Sequence, residues 1–496
     1  MTGNDSYHSK KVSWTLRCTL LTSMAVAALS GSSLQVLAQT EASSISVSGN
    51  EKPRTVAAES EPQIRLRGTK EELHAGAQVD DLSSEILKAE IDLFRLTTLF
   101  RLNNPRETPL HRFYVAATST LAYSVADAGN IVTFTNAYRY HYRPQNFSVG
   151  RAEAGPFLIF LGELGFVTRT VGGATLDLVH SQSVKHRGFD RTTFEHKANQ
   201  LQTQIQDLLG KRKNMIASSS VQTNAQEQAV LQDIADCASA EFVANYARAT
   251  RLKAFRLGDN ITKNFTSGTG AFWGGLLEYL AAVHSLPKTA GPAGIGFIVS
   301  GAGFIGTDGV AYWGGKIAEK RSKTKLQSKS HPTQDSEQQL ARDAKSLKVA
   351  ASGAGSTTMD KRLSAYDSIA ACISQHRAIS ANEEKEMWNR YLHDQIINAV
   401  EGGANIGAGS VLASAGYSFH NNPNPLIQFK NSDQFLENFG TSALVFTPTA
   451  SAGMIDTPAE ALYGHYRSKR DTVKGLNPSV ALNDRLQTLD QIEKKL

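Results

Sequence analysis

The chain has 496 residues, 41% hydrophobic and 20% charged, with 39 glycines, 14 prolines and a formal net charge of +6. This length allows two to four domains or one repetitive array, and the composition excludes collagen-like and wholly disordered chains. The mild positive charge comes without a dense Lys/Arg stripe interleaved with aromatics, so no nucleic-acid partner is expected.

At the N-terminus, Lys10, Lys11 and Arg17 form a basic region around the start of a short apolar run at 20–29, and Val36-Leu37-Ala38 precedes Gln39. This pattern predicts an export signal over residues 1–38, with an apolar core too short to span a bilayer. Cys18 lies ahead of that core, without the small-residue context of a lipoprotein cysteine. Residues 39–81 carry few large apolar side chains and are expected to form a disordered leader.

Beyond the leader the sequence predicts an all-α protein built from three repeats, each a polar helical arm followed by a Gly/Ala-rich helical hairpin. The repeats occupy 82–181, 182–316 and 317–470, with hairpins at 113–180, 264–315 and 396–462 and a polar C-terminal tail at 471–496. The arm ends 234–261 and 369–396 align without gaps, matching Ile234 with Ile369, Cys237 with Cys372, Leu257 with Leu392 and Asp259 with Asp394. FRLNN at 100–104 parallels FRLGD at 255–259. The arms show helical periodicity, as in Leu201, Ile205, Leu208 and Leu209. Pro156 and Pro292 suit a first helical turn, whereas Pro448 and Pro458 are expected to kink or end the last limb. Basic stretches follow each hairpin, at 185–187, 316–325 and 466–470.

One hairpin limb contains Gly301-x-Gly303-x-x-Gly306, and Tyr312 and Lys316 follow at Tyr-x-x-x-Lys spacing. This short stretch resembles the fingerprint of the extended short-chain dehydrogenases, which would imply a nicotinamide cofactor. Such a site needs a strand before the glycines and an acid at the end of a second strand, whereas the nearest acid, Glu319, lies in a stretch too basic for a buried strand. Close helix packing is the preferred explanation, because small residues four apart let two backbones approach. The spacing recurs at Gly270/Gly274, Ala271/Gly275, Gly296/Ser300, Ala302/Gly306 and Gly403/Gly407.

Whether the hairpins enter a bilayer is balanced energetically. The limb 154–180 has about a dozen large apolar residues worth roughly −0.3 to −0.6 kcal/mol each, against roughly 2.5–3.5 kcal/mol for each of Glu163 and Arg169. The basic flanks lie mostly on the arm side, against the positive-inside tendency for a chain whose arms are exported; only the first connector, with Arg139, Arg143 and Arg151, agrees.

Each hairpin also carries ionisable residues among small and apolar ones: Asp127, Glu163, Arg169 and Asp177; Glu278 and Asp308; Glu401 and Asp456. Within a bilayer such groups are ion or proton relays by default, and in a soluble bundle they are solvated or lie near helix ends. Cys237 and Cys372, at matching repeat positions, are a candidate disulfide pair. His180, His186 and His196 lack metal-ligand spacing, no nucleophile elbow or phosphate loop is present, and no cofactor, metal or enzymatic reaction is expected. The expectation for function is an exported, membrane-associated helical repeat protein of the cell-envelope membrane or periplasm, acting as a self-assembling homo-oligomeric scaffold. A channel or transporter component using the intramembrane carboxylates is the alternative.

Overall fold

The computed structural model describes residues 70–496 apart from 106–107, 144–147, 218–221, 284–286, 328–335, 352–356 and 421–431. The expected signal segment and residues 39–69 of the leader lie outside the described residues. In chain order the helices are α1 (Lys70–Asn103), α2 (Pro109–Tyr142), α3 (Val149–His186), α4 (Arg191–Ile216) and α5 (Gln222–Asp259). A π-helical turn, Asn260–Ser267, joins α5 to α6 (Gly268–Val283), followed by α7 (Ala290–Gln327), α8 (Ser336–Ala351), α9 (Thr357–His420), α10 (Ser432–Val473) and α11 (Pro478–Lys495). The fold is all-α, with no strand among the described residues.

Local chemistry sets several boundaries. Thr108 accepts from the His111 amide at 3.1 Å and Pro109 occupies the first turn of α2, where its missing N–H is no loss. Asp190 caps α4 through the amides of Thr192 and Thr193, and Asn477 caps α11 through Ser479. Between α3 and α4, Gly188 adopts φ 76°, a left-handed conformation that a side chain disfavours, and so ends the helix. Pro448 and Pro458 do not end α10: packing against α2 and α9 carries the helix through both. Pro156 likewise lies inside α3, which begins upstream at Val149.

Six helices form a closed ring. Contacts run from α2 to α3, α3 to α6, α6 to α7, α7 to α9, α9 to α10, and α10 back to α2. The elements that continue from these helices, together with α1, α4, α8 and α11, make an arm bundle at one end of the ring. Its core holds Ile86, Leu87, Phe94, Phe100, Phe194, Leu231, Phe242, Tyr366 and Leu489.

Two expected boundaries are corrected here. Residues 70–81, assigned to the leader for their polarity, form the first turns of α1, with Val79 buried and Asp80 Oδ1 accepting from Arg362 at 2.7 Å. The expected polar tail contains α11, docked on α1 through a buried stripe of Leu482, Arg485, Leu489 and Ile492. That stripe has helical spacing, but its short length and an arginine at its centre hid it. The expected disulfide is also absent: Cys237 on α5 and Cys372 on α9 are separate buried thiols. Burial, reinforced by nearby carboxylates led by Asp233, pushes the Cys237 thiol up to about 12.

The arm bundle is pinned by buried charge. Glu227 accepts from Arg212 at 2.6 Å, Arg362 at 2.7 Å and the Tyr366 hydroxyl at 2.8 Å, joining α4, α5 and α9. One layer along, Glu241 accepts a fork from Arg485 at 2.7 and 2.8 Å and a bond from Thr97 at 2.8 Å. Burial works to raise the Glu241 carboxyl, but Arg485, His376 and the hydrogen bonds prevail and hold it at about 2. Burial pushes His376 down to about 3; Glu241 opposes this, while Arg485, Arg101 and Arg248 add to it.

Both groups bind protons more weakly in the folded chain than in the unfolded one. Their stabilisation is therefore complete above the unfolded values of 6.5 for His376 and 4.5 for Glu241, and is lost as pH falls toward the folded ones. Chemical denaturation at successive pH values should show stability falling below about pH 6.5 and more steeply below about pH 4.5. His376→Gln should flatten the first part of that slope, and a wild-type profile flat down to about pH 3.5 would contradict this assignment. At neutral pH, Arg485→Met leaves the Glu241 charge buried and unpaired and should cost about 3–5 kcal/mol.

Candidate functional site

The ring helices approach one another backbone to backbone. A Cβ built on Gly270 would lie 2.7 Å from both the Gly296 carbonyl oxygen and the Ser300 nitrogen, and one on Gly296 would lie 2.8 Å from the Gly274 nitrogen. Gly274 itself faces the Phe297 ring at 3.1 Å. Other expected packing positions are not at seams. Gly306 and Gly403 have open space around them, Ala302 is exposed, and Gly407 reaches only ordinary contact with Val445 at 3.7 Å.

The α7–α9 seam instead uses neighbours one or more positions away. A Cβ on Gly402 would meet the Gly301 carbonyl at 2.5 Å, and one on Gly409 would meet that of Gly294 at 2.6 Å. These glycines were missed because spacing within one helix finds small residues without saying which face they occupy. Gly303 backs onto the π-helical turn, where a Cβ would lie 3.0 Å from the Ser267 nitrogen. The glycine motif thus lies inside the continuous helix α7, with Gly301 and Gly303 at two different seams. Tyr312 stacks on Tyr391 of α9 at 4.2 Å between centroids, and the Lys316 amine lies 5.1 Å from the Tyr312 ring, so the Tyr-x-x-x-Lys pair is packed as structure.

The ring encloses a cavity of about 60 Å³ lined from all six helices and from the π-helical turn. At roughly 15 Å³ per water centre this is room for a few waters, too little for an organic ligand. Glu163 and Arg169 come from α3, Tyr123 and Asn130 from α2, Lys263 from the π-helical turn and Glu401 from α9. Phe166, Phe297, Phe304 and Phe446 supply apolar walls.

Glu401 is buried and accepts from the Tyr123 hydroxyl at 2.7 Å. Arg169 donates to Ser119 at 3.0 Å and lies 5.7 Å from the Phe166 ring centroid. Gly275 leaves the stem of Glu163 its space, since a Cβ there would come within 3.2 Å of the Glu163 Cγ. Glu278, on α6, is buried, and its Oε2 has no hydrogen-bond partner among the described residues. The three glutamates form a row, with Glu278 in electrostatic reach of Glu163 and Glu163 in reach of Glu401. Lys263 continues it, acting on Glu401, Asp308 and Asp394. Asp308 and Asp394 line a second cavity of about 20 Å³ toward the arms, with Arg251, Tyr312 and Tyr391.

The other expected ionisable positions have separate placements. Asp127 accepts from Ser451 at 2.8 Å and ties α2 to α10, and Asp308 accepts from Asn398 at 2.7 Å across the α7–α9 seam. Asp456 lies 3.3 Å from His393, and Asp177 is half-buried near the arm end of α3. Tyr123, Asn130 and Lys263 were not foreseen. Lys263 follows an arm and reads as a polar flank; the π-helical turn, whose side chains bond five residues back (Thr266 to Ile261 at 3.2 Å), breaks the 3.6-residue register.

Set beside known proteins, the chain matches no family model, no curated protein and no solved structure.

The seams can be tested side by side. Gly301→Leu and Gly402→Leu should each cost about 1–3 kcal/mol or more in thermal unfolding of the purified protein. Gly306→Leu and Gly403→Leu should stay within about 0.5 kcal/mol. Equal damage from Gly402→Leu and Gly403→Leu would contradict the seam.

Proposed function

We propose that the chain is a membrane-embedded helical protein whose ring carries protons or small cations along its polar interior. The observation that carries this reading is the row Glu278, Glu163 and Glu401, drawn from three different ring helices and continued by Lys263 and Asp308. Burying these ionisable groups among apolar side chains is expensive, and in membrane proteins such groups mark ion or proton pathways.

The outer surface supports a bilayer setting. Large apolar side chains such as Leu121, Val171, Ile295, Val299, Leu444 and Ile455 are exposed on the ring helices. Two stretches, within Gly150–Ile216 and Ala290–Leu326, are long and apolar enough to cross a membrane. Only 17% and 44% of their most apolar windows are buried, so much of that surface needs another apolar covering.

The scaffold expectation rested on close glycine packing, and Gly270, Gly274 and Gly296, the expected positions that do pack closely, join helices of one chain, which favours the transport reading. Self-association belongs to the proposal only through the outward small residues Ala302 and Gly306, which leave space on α7 for a second copy. The proposal also includes delivery through the N-terminal segment 1–38 to a cell-envelope membrane, and origin of the hairpins from a threefold arm-plus-hairpin repeat, suggested by the matched arm ends.

Two measurements test it in order. Alkaline carbonate extraction should leave the protein in the membrane pellet. In proteoliposomes under an imposed potential, pH-dye quenching should exceed that of empty vesicles. Glu163→Gln and Glu401→Gln should bring it down to the empty-vesicle rate, while Asp177→Asn should not. A wild-type protein no faster than empty vesicles, or glutamine variants that conduct like wild type, would end the transport reading.

A further inference from the structure

We infer that the arm-side rim of the ring is a binding surface for the anionic headgroups of a phospholipid bilayer. The inference rests on the bilayer reading of the ring and adds a partner chemistry and a level on the molecule.

Toward the arm side, the exposed apolar belt runs out at Val179 on α3, Leu257 on α5, Ile317 on α7, Trp388 on α9 and Tyr466 on α10, with only Val473, the final residue of α10, exposed beyond it on these helices. Three to six residues further toward the arms, each of these helices carries an exposed lysine: Lys185, Lys253, Lys320, Lys385 and Lys469. At 1.5 Å per residue that offset is about 5–9 Å, the distance from the edge of a hydrocarbon layer to its headgroups. Lysine stems lie along apolar surface while their amines reach outward, which suits this level.

The rim is not neutralised by its own acids. Glu319 and Glu384 pair with Arg251, Glu386 pairs with Arg467 at 3.0 Å, and Glu460 pairs with Arg390 at 2.7 Å. None of the five lysines forms an ion pair among the described residues. Asp177 and Asp259 form no ion pair among the described residues, but the five unpaired lysines outnumber them and leave a band of positive charge beside an apolar belt. A soluble polyanion would match the charge but leave the belt uncovered; an anionic bilayer surface matches both. Exposed Trp313, Tyr463 and Tyr466 at the same edge are the amphipathic rings favoured at a membrane interface. At the opposite end, the basic residues among those described are Arg139, Arg143 and Arg151 on the α2–α3 connection and Lys288 between α6 and α7, whereas on the arm side five helices each contribute an exposed lysine.

The test uses the full chain in neutral detergent, offered to vesicles of phosphatidylcholine alone or phosphatidylcholine mixed with phosphatidylglycerol, with insertion read by flotation. Wild type should float with both, but half-maximal insertion should need about tenfold less of the anionic lipid mixture at low salt, the advantage fading as salt is raised. The combined variant Lys185→Gln, Lys253→Gln, Lys320→Gln and Lys469→Gln should still float while losing the preference. The corresponding Lys→Arg variant should keep it, which separates charge from misfolding. Equal insertion of wild type into both vesicles, or a preference that survives the glutamine substitutions, overturns the rim while leaving the bilayer reading standing. Failure to float with either vesicle overturns both.

Discussion

The contact on which the ring depends is the meeting of α7 and α9, backbone against backbone. Gly294 faces Gly409, Gly301 faces Gly402 and Gly291 faces Gly416, so these two helices touch over several turns. With any larger side chain at these places they would stand apart. That separation would move α9 relative to α2, α3 and α7, and so move Glu401 away from Tyr123, Glu163 and Lys263. The polar interior thus depends on the absence of side chains elsewhere.

The two halves of the molecule are held by opposite means. The arm bundle keeps several charges inside and paired, with Glu227 and Glu241 each gripped by arginine from a distant part of the chain, while Glu90 is buried without a hydrogen-bond partner among the described residues. Such pairs add little net stability but punish any arrangement that breaks them, which selects one register for α1, α4, α5, α9 and α11. The ring has few such pairs. It is built from dispersion contact between small residues and turns large apolar side chains outward.

Much of this was legible in the sequence. Long limbs rich in small residues, without strand-like alternation, gave the helical class, and Glu163, Arg169 and Glu401 stood out as charges among apolar neighbours. What stayed hidden depended on contacts between distant segments. Choosing Gly402 over Gly403 needs the helix face that meets α7. The arm ends were matched at Cys237 and Cys372, but the thiols remain apart because similar positions in sequence need not share an interface. Lys263 escaped notice because a π-helical turn shifts its direction relative to ordinary helical periodicity. Arg485 escaped because a buried arginine interrupts the apolar stripe that would otherwise announce a core helix.

One long element spans both halves. α9 is an unbroken helix of 64 residues, about 96 Å end to end, with Arg362 and His376 toward one end and Glu401 toward the other. A helix is stiff along its axis and resists twisting, so it behaves as a drive shaft between the two layers. A small rotation where the arm arginines grip it would arrive, with little loss, as a rotation of the Glu401 carboxyl. A partner that touched only the arms would then have a mechanical handle on the interior without coming near it.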